Sequence, residues 1–150
     1  MDLSARLVER TVRALDALAR AVPWNKNDTS PAHLITGRRG EEEAYFYLRK
    51  LGYVMVARNY RSPRSRSELD LVGWDGETLC FVEVKTRTTR DVKAAEMAVD
   101  DEKQRDLGRV AHEFLRKIQG QPAIRFDIVS VYFESDTLPQ ITLFKDAFRA

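Results

Sequence analysis

Two alternating runs, Glu68-Leu69-Asp70-Leu71-Val72-Gly73-Trp74 and Glu77-Thr78-Leu79-Cys80-Phe81-Val82-Glu83-Val84-Lys85, are separated only by Asp75-Gly76, and no other stretch constrains the fold as much. Side chains alternate across a strand, so Glu68, Asp70, Val72 and Trp74 share one face. By the same rule Glu77, Leu79, Phe81, Glu83 and Lys85 share a face of the next strand. Asp-Gly between such runs predicts a two-residue type I′ hairpin turn that pairs Trp74 with Glu77, Val72 with Leu79, Asp70 with Phe81 and Glu68 with Glu83. Asp70 and Glu83 then stand diagonally on one face, about 7–8 Å apart at the backbone, a gap that a divalent ion can bridge. The expectation depends on register, because a one-residue slip sends one carboxylate to the other face.

E-x-K on a strand is ordinarily a solvated polar face. Here the opposite face carries Leu69, Leu71, Cys80, Val82 and Val84, while the charged face also carries Val72, Trp74, Leu79 and Phe81. A sheet apolar on both sides is covered on both sides. Charges at the end of such a sheet are costly unless they are paired or bound to a cation.

The 150 residues suit one domain with a sizeable core. A single cysteine excludes an internal disulfide, and Cys80 reads as a small buried residue. With only His33 and His112 beside it, a zinc site is not expected. The net charge of +2 is too small to imply nucleic-acid binding from totals. Distribution says more. Arg58, Arg61, Arg64 and Arg66 precede the Asp70 strand without an acidic residue among them, and Lys85, Arg87, Arg90 and Lys93 follow Glu83, interrupted only by Asp91. Both segments leave the end of the hairpin opposite its turn, so they form a basic collar suited to a phosphate backbone. No run is long enough for a transmembrane helix and the N-terminus lacks a signal-peptide core, which points to the cytoplasm.

Residues Ser4 to Val22 have the spacing of an amphipathic helix, with Val8, Val12, Leu15, Leu18, Ala19 and Val22 on its apolar side. Its arginine-rich polar side suits packing on its own domain, a second copy, a partner or a membrane surface. The Pro23–Pro31 stretch reads as loop, so the chain divides into an N-terminal helix and linker (1–36) and a core domain (37–150). A helix is expected from about Arg38 to Leu51, stopped by Gly52, with Ala44, Leu48 and Leu51 inward. Counting back from Ala44 turns Glu41 inward and Glu42 and Glu43 away; Glu41 also suits the positive end of the helix dipole. Strands follow at Tyr53–Arg58, Glu68–Trp74 and Glu77–Lys85. A helix capped near Asp100 comes next, carrying Lys103 on its core face, then strands at Ile124–Phe133 and Gln140–Phe144. The order αβββαβ plus a terminal strand implies an α/β mixed sheet flanked by helices.

Gly37-Arg38-Arg39-Gly40-Glu41, Ala44, Leu48, Gly52-Tyr53, Asn59, Glu68-Leu69-Asp70, Phe81-Val82-Glu83-Val84-Lys85-Thr86-Arg87, Lys103 and Arg125-Phe126-Asp127 together resemble the bacterial YraN-like family of uncharacterised proteins. The resemblance covers about residues 37 to 148, and its most specific part is the Phe81–Arg87 run. It implies the restriction-endonuclease-like superfamily, whose sites join an Asp to a Glu-x-Lys and often an earlier helical Glu. The pattern is also similar to archaeal Holliday junction resolvases. What the resemblance implies is a metal held by Asp70 and Glu83, assisted by Glu41, with Lys85 at the attacking water or scissile phosphate. One departure is Ser67, where family members usually have glycine.

The chemistry so implied is Mg²⁺- or Mn²⁺-dependent phosphodiester hydrolysis in DNA, branched or otherwise structured forms included. Arg61, Arg64, Arg66, Arg87, Arg90 and Lys103 are the candidate nucleic-acid contacts. A homodimer suits cutting at a junction. The alternatives are a non-catalytic nucleic-acid-binding module of the same fold and an adaptor acting through the N-terminal helix.

Overall fold

A computed structural model describes residues 32–88, 99–134 and 137–150. The expected Ser4–Val22 helix, the loop after it, and Arg90, Asp91 and Lys93 lie outside the described residues. In chain order the elements are α1 (Ala32–Lys50), β1 (Val54–Arg61), β2 (Glu68–Asp75), β3 (Thr78–Arg87), α2 (Asp101–Leu115), β4 (Ala123–Tyr132) and β5 (Gln140–Phe148). The five strands form one mixed sheet in the order β1-β2-β3-β4-β5. Only β3 and β4 run parallel, and a parallel neighbour requires a crossover, which α2 supplies. The expected α/β class and element order are those of the fold.

Each helix covers one face of the sheet. Ala44 and Leu48 of α1 are fully buried and pack with Leu71, Cys80, Val82, Val129 and Val131. On the other face Leu107, Val110, Ala111 and Phe114 of α2 meet Leu69, Val72, Leu79, Phe81, Phe126 and Phe148. Asp100 caps α2 as expected, its side chain accepting the Lys103 amide at 2.8 Å. Helix α1 ends in a Schellman motif: Tyr53 N–H donates to Leu48 O at 3.1 Å and Gly52 N–H to Arg49 O at 3.0 Å. Gly52 takes the left-handed position at φ 96°. That turn carries Leu51 out of the apolar face where helical spacing puts it, and leaves it 51% exposed. Helix α1 also starts at Ala32 rather than near Arg38, since the one glycine in the added stretch, Gly37, costs a helix only about 1 kcal/mol.

The hairpin forms in a different register from the one the Asp-Gly pair predicts. Trp74 pairs with Leu79, Val72 with Phe81, and Asp75 with Thr78. Gly76, at φ 61°, is the first of two turn residues and Glu77 the second, as in a type II′ turn. Asp75 stays in β2, where Arg125 and Lys145 hold its carboxylate, each at 2.8 Å. The displacement is two residues, an even number, so the face assignments on β3 survive. On β2 the alternation breaks at Asp70: Leu69 packs under α2 with Val72, whereas Leu71 packs under α1. The break falls where the β2–β3 ladder stops at Leu71–Val82 and where Asn59 of β1 adopts φ 48°.

Candidate metal site

The two-residue displacement brings Asp70 level with Glu83, one step beyond the last ladder pair. Asp70 does not continue the ladder. Its Oδ2 accepts the Val84 N–H at 2.8 Å, so the carboxylate occupies the seam where the two strands part. Asp70 is 8% and Glu83 9% exposed, and both lie among the buried polar residues. Burial first, and then the neighbouring Glu83, push the Asp70 carboxyl well above the usual carboxylate range; the Val84 amide pulls it back, Glu41 adds to the rise, and Lys103 opposes it.

Glu83 is held from one side only. Lys85 Nζ and Lys103 Nζ each stand 3.7 Å from its Oε1. Its Oε2 is buried and has no hydrogen-bond partner among the described residues. Lys85 reaches Oε1 because alternate residues share a strand face, and Lys103 because the Asp100 cap starts α2 over this end of the sheet.

Glu41 enters from the opposite helix. Gly40 makes this possible, because a Cβ at that position would run into the Thr86 hydroxyl of β3, so α1 approaches the strand beside Lys85. Burial raises the Glu41 pKa first, followed by the charge of Glu68; Arg58 lowers it, Glu83 raises it and Arg38 lowers it. Asp70, Glu83 and Lys85 thus stand together at one end of the sheet, and Glu41 is near enough for its charge to act on Asp70.

Asp70 and Glu83 fit a hard cation: anionic oxygen donors, mutually repelling, with one buried carboxylate oxygen lacking a partner. Among the described residues no three Asp, Glu, His or Cys side chains are grouped closely enough to make an all-protein metal cage. Mg²⁺ retains waters and takes one or two carboxylates, so such a cage is not needed.

The expected basic collar resolves into parts with different roles. Arg61 is committed to Glu68, its Nε 2.6 Å from Oε2. Lys103 reaches the site itself. Arg87 donates to Thr86 O at 3.1 Å, and Arg64 and Arg66 are exposed on the loop before β2. Arg58 stacks its guanidinium 4.7 Å from the Tyr45 ring centre. Ser67, the departure from the family pattern, donates to Asp106 Oδ2 at 3.4 Å and ties that loop to α2.

Arg125-Phe126-Asp127 lies away from these residues. Asp75 is five positions from Asp70 along β2, about 17 Å, and it belongs to a separate ionic cluster at the turn end. There Arg125 Nε donates to the fully buried Asp127 at 2.7 Å, and its Nη2 reaches Tyr53 Oη at 2.9 Å and Asp75 at 2.8 Å. The Asp146 N–H, on a residue at φ 52°, completes Asp127 at 3.0 Å and fixes the end of β5. The Asp127 carboxylate holds Arg125 firmly protonated. Burial pushes the neighbouring Cys80 thiol up to about 12, as suits an inert core thiol.

A family model described as uncharacterised protein family UPF0102 matches residues 40–131. A UPF0102 protein of Koribacter versatilis (strain Ellin345) is 55% identical over 137 residues, 91% of this chain and 91% of the relative. A second, of Solibacter usitatus (strain Ellin6076), is 46% identical over 113 residues, 75% of this chain and 84% of its own. A third, of Herminiimonas arsenicoxydans, is 42% identical over 100 residues, covering 67% and 79%. The matched span contains Glu41, Asp70, Glu83, Lys85 and Lys103.

Proposed function

The chain belongs to the uncharacterised protein family UPF0102, and we propose that it is a cytoplasmic metal-dependent nuclease that hydrolyses phosphodiester bonds in DNA, with branched or otherwise structured DNA as a favoured form. The observation that carries this reading is the Glu83 carboxylate, with two lysines on one oxygen and no partner on the other, buried beside Asp70.

Asp70 and Glu83 would hold Mg²⁺ or Mn²⁺, with Glu41 assisting directly or through water. The cation would supply Lewis acidity toward the phosphate and lower the pKa of a bound water. Val84 N–H fixes the Asp70 carboxylate before any ligand arrives, so little reorganisation accompanies binding. Lys85 and Lys103 lie where a phosphate drawn to a cation on the carboxylates would meet two ammonium groups. One positions the nucleophile or offsets charge growing on the phosphate; the other holds the strand. No helix among the described residues is long and apolar enough to cross a membrane.

The test is cleavage of duplex, flap, junction and single-stranded DNA with Mg²⁺ or Mn²⁺ by wild type, Asp70→Ala and Glu83→Ala. Metal-dependent products lost in both variants support the reading; undiminished cleavage by both overturns it. The two lysines already on Glu83 favour one second reading, nucleic-acid binding without hydrolysis, in which they neutralise the carboxylate in place of a metal. Binding without cleavage across the whole panel is its signature.

A further inference from the structure

Away from the metal site an open groove of about 610 Å³ lies between the β1–β2 loop and the outer face of α2. Arg64 and Ser65 line it from the loop, and Arg105, Arg109, His112 and Arg116 from the helix. Residues 105, 109, 112 and 116 recur at helical spacing and form one stripe facing away from the core residues Leu107, Val110, Ala111 and Phe114. Arg64, Arg105, Arg109, His112 and Arg116 are exposed.

The acidic groups near this stripe are already engaged. Glu113 is bonded by Ser62, and Asp106 takes both Ser67 at 3.4 Å and Arg109 at 3.0 Å. Arg64, Arg105 and Arg116 have no ion pair among the described residues. Four arginines line the hollow against one acidic side chain, Glu113, so it is positive on balance. Ser62 and Ser67 also pin the loop along α2, and Ser67 leads directly into Glu68 and the Asp70 strand. The groove thus runs from the vicinity of the metal site toward the C-terminal end of α2.

We propose that this groove is a second nucleic-acid contact, which grips the sugar-phosphate backbone of the arm leading away from the metal site; the direction of that arm rests on the function proposed above. From Arg105 to Arg116 the stripe covers about 16 Å of helix axis, which matches about five phosphates of one duplex strand. No Phe, Tyr or Trp lines the groove, so unstacked bases have no broad platform and the contact is to backbone. Apolar side chains of the kind that enter a bilayer are also missing from its lining, and it is concave, which separates it from a membrane-binding face. The exposed Arg109–Asp106 pair is of a weak kind and opens to a phosphate at little cost.

The experiment uses the full-length chain in EDTA, so that binding is read without hydrolysis. Fluorescent 20-base-pair and 8-base-pair duplexes, a single strand and phosphatidylserine vesicles are titrated with wild type, Asp70→Ala and the triple variant Arg105→Gln/Arg109→Gln/Arg116→Gln. Circular dichroism first establishes that the variants fold; Arg109→Gln alone serves if the triple variant does not. The expected result is a loss of about tenfold or more in affinity of the triple variant for the 20-base-pair duplex, with a salt slope shallower by about 2 to 3. Asp70→Ala should show a much smaller difference, and the 8-base-pair duplex, long enough to fill the stripe, should follow the 20-base-pair one. Equal affinity and salt slope in wild type and triple variant overturn the proposal, as does binding to vesicles but to no oligonucleotide. Weakened binding in the triple variant, together with no cleavage by wild type in the Mg²⁺ and Mn²⁺ assay above, keeps this groove and removes the nuclease reading. Unchanged binding here, with metal-dependent cleavage there that Asp70→Ala abolishes, does the reverse.

Discussion

Asp70 accepts the Val84 amide through its side chain, at 2.8 Å, at the point where a ladder partner would use a backbone carbonyl. The strands can part there without stranding a buried N–H, and the carboxylate is fixed in the gap they leave. Its position is therefore set by backbone hydrogen bonding, while its charge is opposed by burial and by Glu83 and Glu41.

Asp70→Asn separates these two properties. An amide oxygen can still accept from Val84, and the charge is gone. In metal-free buffer at pH 7 the variant should be more stable than wild type by about 1 kcal/mol, because folding no longer has to hold a carboxyl whose ionised form is opposed by burial and by Glu83. Added Mg²⁺ should raise the Tm of wild type and leave that of Asp70→Asn unchanged. Thermal unfolding with and without Mg²⁺ checks both, and equal metal-induced shifts would show that Asp70 is not a ligand.

Lys85→Ala removes an ammonium group from Glu83 but no donor oxygen. Turnover should fall by about 100-fold or more, the effect of deleting one transition-state contact, while the Mg²⁺-induced Tm shift persists. Single-turnover cleavage beside thermal unfolding separates the two; loss of the metal-induced shift would make Lys85 a positioning residue for the carboxylates.

Gly40→Ala should cost about 1–3 kcal/mol, the range for overpacking a tight contact, because the new methyl meets the Thr86 side chain. Thr86→Ala in the same chain should recover most of that loss, since it takes away the hydroxyl and methyl that collide. A double-mutant cycle in urea measures the coupling.

The ionic cluster at the turn end gives two further expectations. Asp127→Ala should destabilise by about 3–5 kcal/mol, since it leaves Arg125 without its principal partner. Asp75 supplies a pH dependence. Hydrogen bonds from Lys145 and then Arg125 hold its carboxyl at about 2, below the ordinary 3.8. The folded state binds its proton less readily than the unfolded state. Its contribution is thus present above pH 3.8 and is lost as pH falls from there through about 2. Asp75→Asn should remove about 1 kcal/mol of that acid dependence, a part-exposed pair being screened by solvent. Chemical denaturation at pH 2 to 5 measures it.

Much of this was legible in the chain. Apolar alternation on both faces of the hairpin required a sheet covered twice, and helical spacing chose Glu41 from three adjacent glutamates. The Asp100 cap and the Gly52 stop were readable because helix ends leave backbone groups unpaired and few residue types satisfy them. The turn was read one position early. Asp-Gly favours a turn locally, but Arg125 and Lys145, distant in sequence, hold Asp75 in the strand.

The basic residues divide in the same way. Clusters around the Asp70 strand stand out in sequence, yet Arg61 is paired with Glu68 in the fold. The stripe at 105, 109, 112 and 116 is visible on α2 by spacing alone. Its meaning depends on the loop that Ser62 and Ser67 pin against the helix.

By itself, the sequence determined the element order, the two covered faces and the identity of the charged residues, because periodicity and capping act over a few residues. Tertiary structure alone decided that Asp70 leaves the ladder for the Val84 amide, that Glu83 keeps one oxygen buried without a partner, and that Gly40 brings Glu41 toward them. Each of these is a contact between segments far apart in the chain, fixed by packing and by the need to satisfy buried polar groups.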